Sequence, residues 1–469
     1  MADSPSPAGR ARTTAPRVPA PRRPAGQVTA GETPPAAPHP AARAAGSLRP
    51  AEHGAAVPAP RPATGGPPRD RGPRGWARRI EAATPAGRDR GIDALRALAV
   101  LGVILGHWLV TAVVDRGQGV LVVTSPLRHM PWLAPVSWVL QTLAVFFLVG
   151  GEVAARGHLS ARRRGVGYRR WLGRRLARLF RPVVPLLGVW AVAFAVLVGA
   201  EADPDTLRTM ATLVLSPLWF LLVFALLTAA TPVAVRIHPA VPLAVVAAAD
   251  LVRFGLGWAD RLGPALEAVS VVAGWLVPYT LGTAWAAGRL RSRRCGWLLL
   301  GGGTAAAAAL ILWAGYPASM VGVPGDRFSN LDPPTLAAVA FGLAQCGLAS
   351  LLRRRLTRLM ARPVAWAVVA LINLSAMTLF LWHQTAMLAV TAVGLFAAPL
   401  PGLHTVPDGL GWVPARVAWL PLFAVALVVC RAAFGTAERD RPGARRGLAV
   451  PVSPPRGAGR CGPGPSAGR

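Results

Sequence analysis

Long apolar stretches follow one another along this chain from residue 92 to residue 434. A helix needs about 20 predominantly apolar residues to cross a bilayer, and most of these stretches approach that length. The pattern therefore predicts an all-α fold, a polytopic transmembrane helical bundle of about ten spans. The predicted spans are residues 92–114, 132–154, 182–200, 212–230, 239–256, 265–288, 296–315, 334–352, 366–390 and 413–434.

Two of these spans are less regular than the others. The fifth is the weakest, because two prolines and two charged residues interrupt it (Pro239, Pro242, Asp250 and Arg253). The ninth is followed by apolar residues as far as Pro399. A span of that length would be long, tilted or bent in a bilayer of ordinary thickness.

The two ends of the chain have a different composition. Residues 1–88 and 435–469 are rich in Pro, Ala, Gly and Arg and hold few large apolar residues. Such segments cannot bury enough apolar surface to offset the entropy lost on ordering. We therefore predict two disordered tails around one transmembrane domain at residues 89–434.

The chain is strongly basic, with 51 basic residues, all of them Arg, against 20 acidic ones and a net charge of +31. The arginines lie in the tails and in short runs between spans, a placement typical of topology signals rather than of nucleic-acid binding. With the N-terminus inside, the inner connections hold 20 Arg, and the outer ones, counted with Arg416 just inside the last span, hold seven. This asymmetry follows the positive-inside rule and predicts a multi-pass plasma-membrane protein with both termini in the cytoplasm.

The sequence shows no signature of a metal or a bound cofactor. Its four cysteines are widely separated and lack a Cys-x-x-Cys spacing, so we expect neither a zinc site nor a disulfide framework. No nucleotide-binding loop, His/Glu metal motif or Gly-x-Ser-x-Gly elbow is present. We therefore expect no bound cofactor and no metal.

The first span carries three ionisable residues, Asp93, Arg96 and His107. Eleven residues separate Arg96 from His107, about three helical turns, so both side chains are predicted on one helix face, with His107 near the middle of the membrane. In one interpretation the charged pair anchors the helix end and His107 packs in the core. In the other, which we favour because ionisable groups within a membrane are costly, His107 is a general base.

These residues resemble the integral-membrane acyltransferase 3 family, in which a first helix carries Arg, ten further residues and then His. Later segments resemble the family in the same order. They are VFFLVGG at 145–151, WLGRRLARLFRP at 171–182, PLWFL at 217–221 and MTLFLWH at 377–383. Glu152 departs from the family pattern, which has an apolar or aromatic residue after the glycines; we expect it to pair with Arg96 or a loop arginine.

The resemblance implies a membrane O-acyltransferase with acyl-CoA as co-substrate. The acceptor would be a hydroxyl of a carbohydrate, of another exported or lipid-linked molecule, or of a secondary metabolite. His107 would take the hydroxyl proton, and Asp93 would hold Arg96 in place. The resemblance also favours phosphate binding by an arginine group (Arg174, Arg175, Arg178 and Arg181). The alternative for that group is a topology signal or a lipid-headgroup patch.

Three residues are candidates for binding the acceptor. Trp219 and His383 lie where they could contact an acceptor or form an interfacial belt, and His383 is expected close to the outer surface. Asn373 could line a cavity or satisfy helix contacts. The sequence leaves these pairs of interpretations open.

A transporter or exporter of a lipid-linked or glycan substrate is the alternative function. Transporters commonly contain inverted repeats and matched broken helices. This sequence has no detectable internal repeat, and its buried charge is concentrated on one span, so we favour the enzyme. Its expected partners are the bilayer, acyl-CoA and the acceptor, and its oligomeric state is left open.

Overall fold

The computed structural model describes residues 72–438 apart from residues 118, 257–258, 291, 326–327 and 398. Thirteen helices of ten or more residues make up most of this part of the chain and form the predicted all-α bundle. In chain order the elements are α1 (Pro73–Ala82), α2 (Arg90–Val110), β1 (Ala112–Asp115), β2 (Leu121–Thr124), α3 (Leu143–Arg163), α4 (Tyr168–Phe180), α5 (Val183–Gly199), α6 (Pro204–Ala229), α7 (Ala240–Asp250), α8 (Ala259–Ala286), α9 (Arg293–Trp313), α10 (Leu336–Leu359), α11 (Pro363–Leu374), α12 (Ala376–Gly394) and α13 (Trp412–Phe434).

Nine helical segments of the described chain are long and apolar enough to cross a membrane. They correspond to nine of the ten predicted spans, and one of them is α4 and α5 joined end to end. The predicted ninth span is broken at Ser375, between α11 and α12. The fold is therefore the predicted multi-pass helical bundle.

The predicted fifth span is shorter than the other nine. It consists of the 11-residue α7 followed by a π-helical turn, Leu251–Gly255. It nevertheless joins the two ends of the bundle. Near its start, Ala234 accepts a hydrogen bond from the Thr283 hydroxyl in the last turn of α8 (3.3 Å). At its end, the Asp250 carboxylate accepts one from the backbone N–H of Leu336, where α10 begins (2.6 Å).

The structure corrects the predicted start of the second span. α3 begins at Leu143, not at residue 132, and continues to Arg163. The preceding residues form three short helical turns, Pro126–His129, Pro131–Leu133 and Ala134–Ser137. Each has a proline in its first turn, where the missing N–H costs no hydrogen bond.

The structure also corrects the predicted tails. α1 lies inside the segment predicted to be disordered, and the Trp366 indole N–H donates a hydrogen bond to the Thr84 hydroxyl just after it (2.8 Å). Gly435–Glu438 form a 3-10 turn after α13. The disorder prediction is therefore wrong for these residues, while 1–71 and 439–469 lie outside the described chain.

Two glycines allow α3 and α8 to pack backbone against backbone. A Cβ atom added to Gly151 would overlap the carbonyl oxygen of Tyr279. One added to Gly282 would overlap the carbonyl oxygen of Leu148. The paired glycines of the VFFLVGG segment thus have a packing role.

We expect Gly282→Ala to lower the midpoint of thermal unfolding of the detergent-purified protein. The added methyl group would force α3 and α8 apart, and overpacking of this kind costs about 1–3 kcal/mol. Gly301→Ala on α9 is the matched control, because a Cβ there meets no atom within 4 Å. Equal midpoints for the two variants would contradict the close packing.

Candidate active site

α2 runs beside α11 and α12 in the same direction, and two hydrogen bonds fix their register. Arg96 Nε donates to Asn373 Oδ1 (2.7 Å). His107 Nδ1 lies 3.1 Å from the side-chain nitrogen of Gln384. Each pair is separated by 277 positions, so the eleven-residue interval on α2 is repeated on its neighbour. Arg96 and His107 therefore share one helix face, as their spacing predicts.

We use α2 to name the two ends of the bundle. The end at which it begins, close to Arg96, is called the arginine end, and the end at which it finishes, close to His107, is called the histidine end. Each end contains a cavity that reaches one of these two side chains.

Hydrogen bonds hold the Arg96 guanidinium on two sides. Its Nη2 donates to Asp93 Oδ1 (2.6 Å), while Nε is held by Asn373. Asp93 also pairs with Arg88 Nε (2.5 Å), and its backbone carbonyl accepts from the Asn373 amide (2.8 Å). The predicted Asp93–Arg96 pair therefore forms, and the orientation of the guanidinium is set by both of its partners.

A cavity of about 230 Å³, the arginine cavity, lies beside this guanidinium. Arg96, Arg175 and Arg178 contribute charge to its wall. Arg174 and Arg181 do not line it, and both are exposed. The structure thus brings two of the four predicted phosphate-binding arginines to Arg96 and leaves the other two outside.

Further ion pairs surround the arginine end of α2. Asp89, which caps the helix, accepts from Arg353 Nη2 (2.6 Å). Burial raises the pKa of the Asp89 carboxyl, but the bonds from Arg353 and from the Ile92 N–H outweigh this effect and hold it below its ordinary value. Glu152 pairs with Arg156 Nε (2.5 Å), which agrees with the expectation of a loop-arginine partner. Arg156 itself lies on α3, because that helix is longer than predicted.

The second cavity, the histidine cavity, has a volume of about 510 Å³. His107 and Gln384 line it together with Ser216 and Trp219 of α6 and Asp332 from the loop before α10. The cavity combines an imidazole, an indole ring, hydroxyl and amide groups and one carboxylate. Such a set can bind a polar molecule and accept a proton from it.

A row of aromatic rings connects the walls of the two cavities. Phe146 lines the arginine cavity, and its ring centre lies 4.9 Å from that of Phe220. Phe220 lies 5.1 Å from Phe380, which in turn lies 5.9 Å from His383. The His383 ring packs 5.0 Å from His107. Aromatic rings in contact therefore lead from the arginine cavity to the two imidazoles.

His107 lies in the last turn of α2, not at the middle of the helix. The predicted first span extends to residue 114, but α2 ends at Val110 because the β1–β2 hairpin follows. Arg416 of α13 holds this helix end by donating to the carbonyl oxygens of Trp108 (2.7 Å) and Thr111 (2.7 Å). Sequence reasoning treated Arg416 as a topology charge and missed this role.

The structure places the three candidate acceptor residues in different surroundings. His383 is fully buried beside His107, and its Nδ1–H donates to the Phe380 carbonyl (2.5 Å). Asn373 lines the arginine cavity and not the histidine cavity. Trp219 lies in the wall of the histidine cavity, where an acceptor could reach it.

The fold and these two cavities define a multi-pass membrane protein with a partly exposed imidazole in one cavity and clustered guanidinium groups in the other. Within the residues that the structure describes, no group of three or more His, Cys, Asp or Glu could hold a metal. A model of the acyltransferase 3 family, described as an acyltransferase domain, matches residues 89–434. The chain belongs to this family and is a membrane acyltransferase. No curated protein and no solved structure matches it significantly.

Proposed function

We propose that the protein transfers an acyl group from acyl-CoA to a hydroxyl of an acceptor in the histidine cavity. The observation that carries the proposal is the placement of two groups by α2. One helix face puts the Arg96 guanidinium in the wall of one cavity and the His107 imidazole in the wall of the other. Donor phosphates and acceptor hydroxyl can therefore bind in separate cavities that one row of rings connects.

The arginine end is assigned to the cytoplasm, with both termini on that side of the plasma membrane. The inner connections of the sequence, which hold 20 Arg, meet at this end of the bundle. Acyl-CoA is a cytoplasmic metabolite with several phosphate groups. Guanidinium groups bind phosphate through paired N–H donors, so Arg175 and Arg178 bind the donor beside Arg96.

His107 acts as the general base in this reaction. Its imidazole takes the proton of the acceptor hydroxyl, and the oxygen attacks the carbonyl carbon of the thioester. A new C–O bond forms as the C–S bond breaks. The CoA thiolate leaves and recovers the proton from the imidazolium, so His107 returns to its neutral form.

The acceptor is a hydroxyl-bearing molecule, with a carbohydrate or a lipid-linked or exported glycan fitting the cavity best. The Trp219 ring offers an apolar face, while Ser216 and Asp332 offer oxygen acceptors for hydroxyl groups. A hydroxylated secondary metabolite has the same chemistry and is the other acceptor class to be assayed.

Incubation of purified protein with acyl-labelled CoA and a panel of glycosides tests this function. We expect label to appear in an ester on the glycoside and free CoA thiol to form in equal amount. A transporter would instead move the glycan across a vesicle membrane without forming an ester. That result would overturn the proposal.

The four arginines of α4 and its end provide a matched comparison for donor binding. We expect Arg175→Lys and Arg178→Lys to raise the donor KM several-fold, because lysine keeps the charge and loses the paired donors. Arg174→Lys and Arg181→Lys should leave it unchanged, since neither residue lines the arginine cavity. Initial rates over a range of acyl-CoA concentrations give the donor KM of each variant. An unchanged donor KM in all four variants would mean that these arginines do not bind the donor and act only as a topology signal.

A further inference from the structure

Gln384 is the polar side chain that contacts the proposed base. It lies on α12 with 1% of its surface exposed, and its amide nitrogen is 3.1 Å from His107 Nδ1. Its side-chain oxygen is buried without a hydrogen-bond partner. No sequence motif singled out this residue, and it lies next to His383 in the chain.

The amide atom of Gln384 that faces His107 Nδ1, nitrogen or oxygen, decides which ring nitrogen of His107 carries the proton. If the amide nitrogen donates to Nδ1, the proton of the neutral imidazole lies on Nε2, and the ring has no free lone pair for the cavity. If the amide is turned over, its oxygen accepts a hydrogen bond from Nδ1–H. Nε2 then carries the lone pair. The nitrogen and oxygen have nearly the same shape, so the exchange moves no other atom.

We infer that Gln384 is a positioning residue, whose side-chain oxygen accepts the Nδ1–H of His107 and keeps Nε2 of the ring unprotonated. The inference rests on the proposed function, in which His107 is the base. Only this orientation of the amide leaves a nitrogen able to take the acceptor proton. It gives the amide oxygen a donor and places the amide nitrogen where the unpartnered oxygen stands in the other orientation.

The surrounding structure prevents the two groups from drifting apart. The Trp108 indole N–H donates to the His383 carbonyl (2.9 Å), which ties α2 to α12 one residue away from each partner. Arg416 holds the end of α2 through the Trp108 and Thr111 carbonyls. Hydrogen bonds from the Trp108 and Arg416 side chains to backbone carbonyls therefore hold the amide against the imidazole, and they do not depend on the amide itself.

Three other charged or titratable side chains lie around His107 on the elements that pack against it. His383 of α12 lies with its ring 5.0 Å away, and its Nδ1–H is engaged by the Phe380 carbonyl. Asp332 lines the same cavity, and Arg416 flanks the helix end from α13. The polar contact described at His107 Nδ1 is the one with the Gln384 amide.

Gln384→Leu and Gln384→Glu test the inference together. The leucine variant should lose about 10–100-fold in kcat, the range found when a partner that orients a metal-bound histidine is removed. Its KM for donor and acceptor should stay unchanged. The glutamate variant should retain turnover, because a carboxylate also accepts the Nδ1 proton. Its negative charge stabilises the imidazolium, so the acidic limb of its kcat–pH profile should move up by about one unit.

Gln345→Leu on α10 is the matched control, because Gln345 contacts the Gln141 carbonyl and not His107. Wild-type kcat in Gln384→Leu, with His107→Ala inactive, would overturn the role of Gln384 and leave the proposed function intact. Full activity in His107→Ala would overturn the general-base role on which the inference rests, whereas the absence of ester formation by the wild-type protein would overturn the proposed function. If the leucine variant does not fold, an unshifted pH profile in the folded Gln384→Glu variant would refute the inference.

Discussion

Replacing His107 with alanine is expected to lower the kcat of acyl transfer by about 10²–10⁴-fold, the contribution typical of a positioned general base. The protein should still fold, because the end of α2 is held by Arg416 and by the Trp108 indole rather than by the imidazole. Transfer of label from acyl-CoA measures the rate. The midpoint of thermal unfolding measures the fold.

His158→Ala is the control for this experiment. His158 is also a buried histidine, but it follows the predicted second span and lies at the arginine end of α3 against the Trp171 ring (5.2 Å). We expect its kcat to stay close to that of the wild type. Equal rates in the two alanine variants would show that His107 is a packing residue, the first of the two interpretations that the sequence allowed.

The second large effect is expected for Arg96→Lys. The guanidinium uses Nη2 for Asp93 and Nε for Asn373, two acceptors that a single ammonium group on a flexible chain cannot reach in the same geometry. We expect the donor KM to rise tenfold or more, about 1.4 kcal/mol of binding free energy. Titration of the initial rate with acyl-CoA measures this change.

Arg174→Lys is the matched control for the charge, since Arg174 is exposed on α4 and lines neither cavity. Its donor KM should not change. A normal donor KM in Arg96→Lys would mean that Arg96 only anchors the helix end, and donor binding would then have to be assigned to Arg175 and Arg178 alone.

Much of the site could be predicted because helical spacing fixes direction. Arg96 and His107 are eleven residues apart, and any α-helix brings such a pair to one face. The same interval separates Asn373 from Gln384 on the ninth span, although the helix is interrupted at Ser375 between them. Two spans with polar residues at one common interval therefore indicate residues that face each other.

Other parts of the site depend on features that spacing does not contain. Asn373 lines the arginine cavity because its side chain faces Arg96, a contact that spacing along the ninth span does not indicate. Arg416 was counted as an outer charge. Its burial shows that it serves three backbone carbonyls instead, those of Trp108, Thr111 and Gly402. The contacts with Trp108 and Thr111 bring together residues 308 and 305 positions apart, beyond the reach of any local pattern.

The eleven-residue interval that α2 shares with α11 and α12 also sets the distance between the two proposed binding groups. A helix rises about 1.5 Å per residue, so eleven residues fix the distance from the Arg96 Cα to the His107 Cα at roughly 16 Å. A donor whose phosphates bind at the arginine end must therefore extend roughly 16 Å along α2 to bring its thioester to His107. One residue inserted between Arg96 and His107 would turn the imidazole by about 100° relative to the guanidinium. The Arg96–Asn373 and His107–Gln384 contacts could then no longer form together. Insertions and deletions in this family should be confined to the loops and tails, and the interval itself should be inherited as a unit.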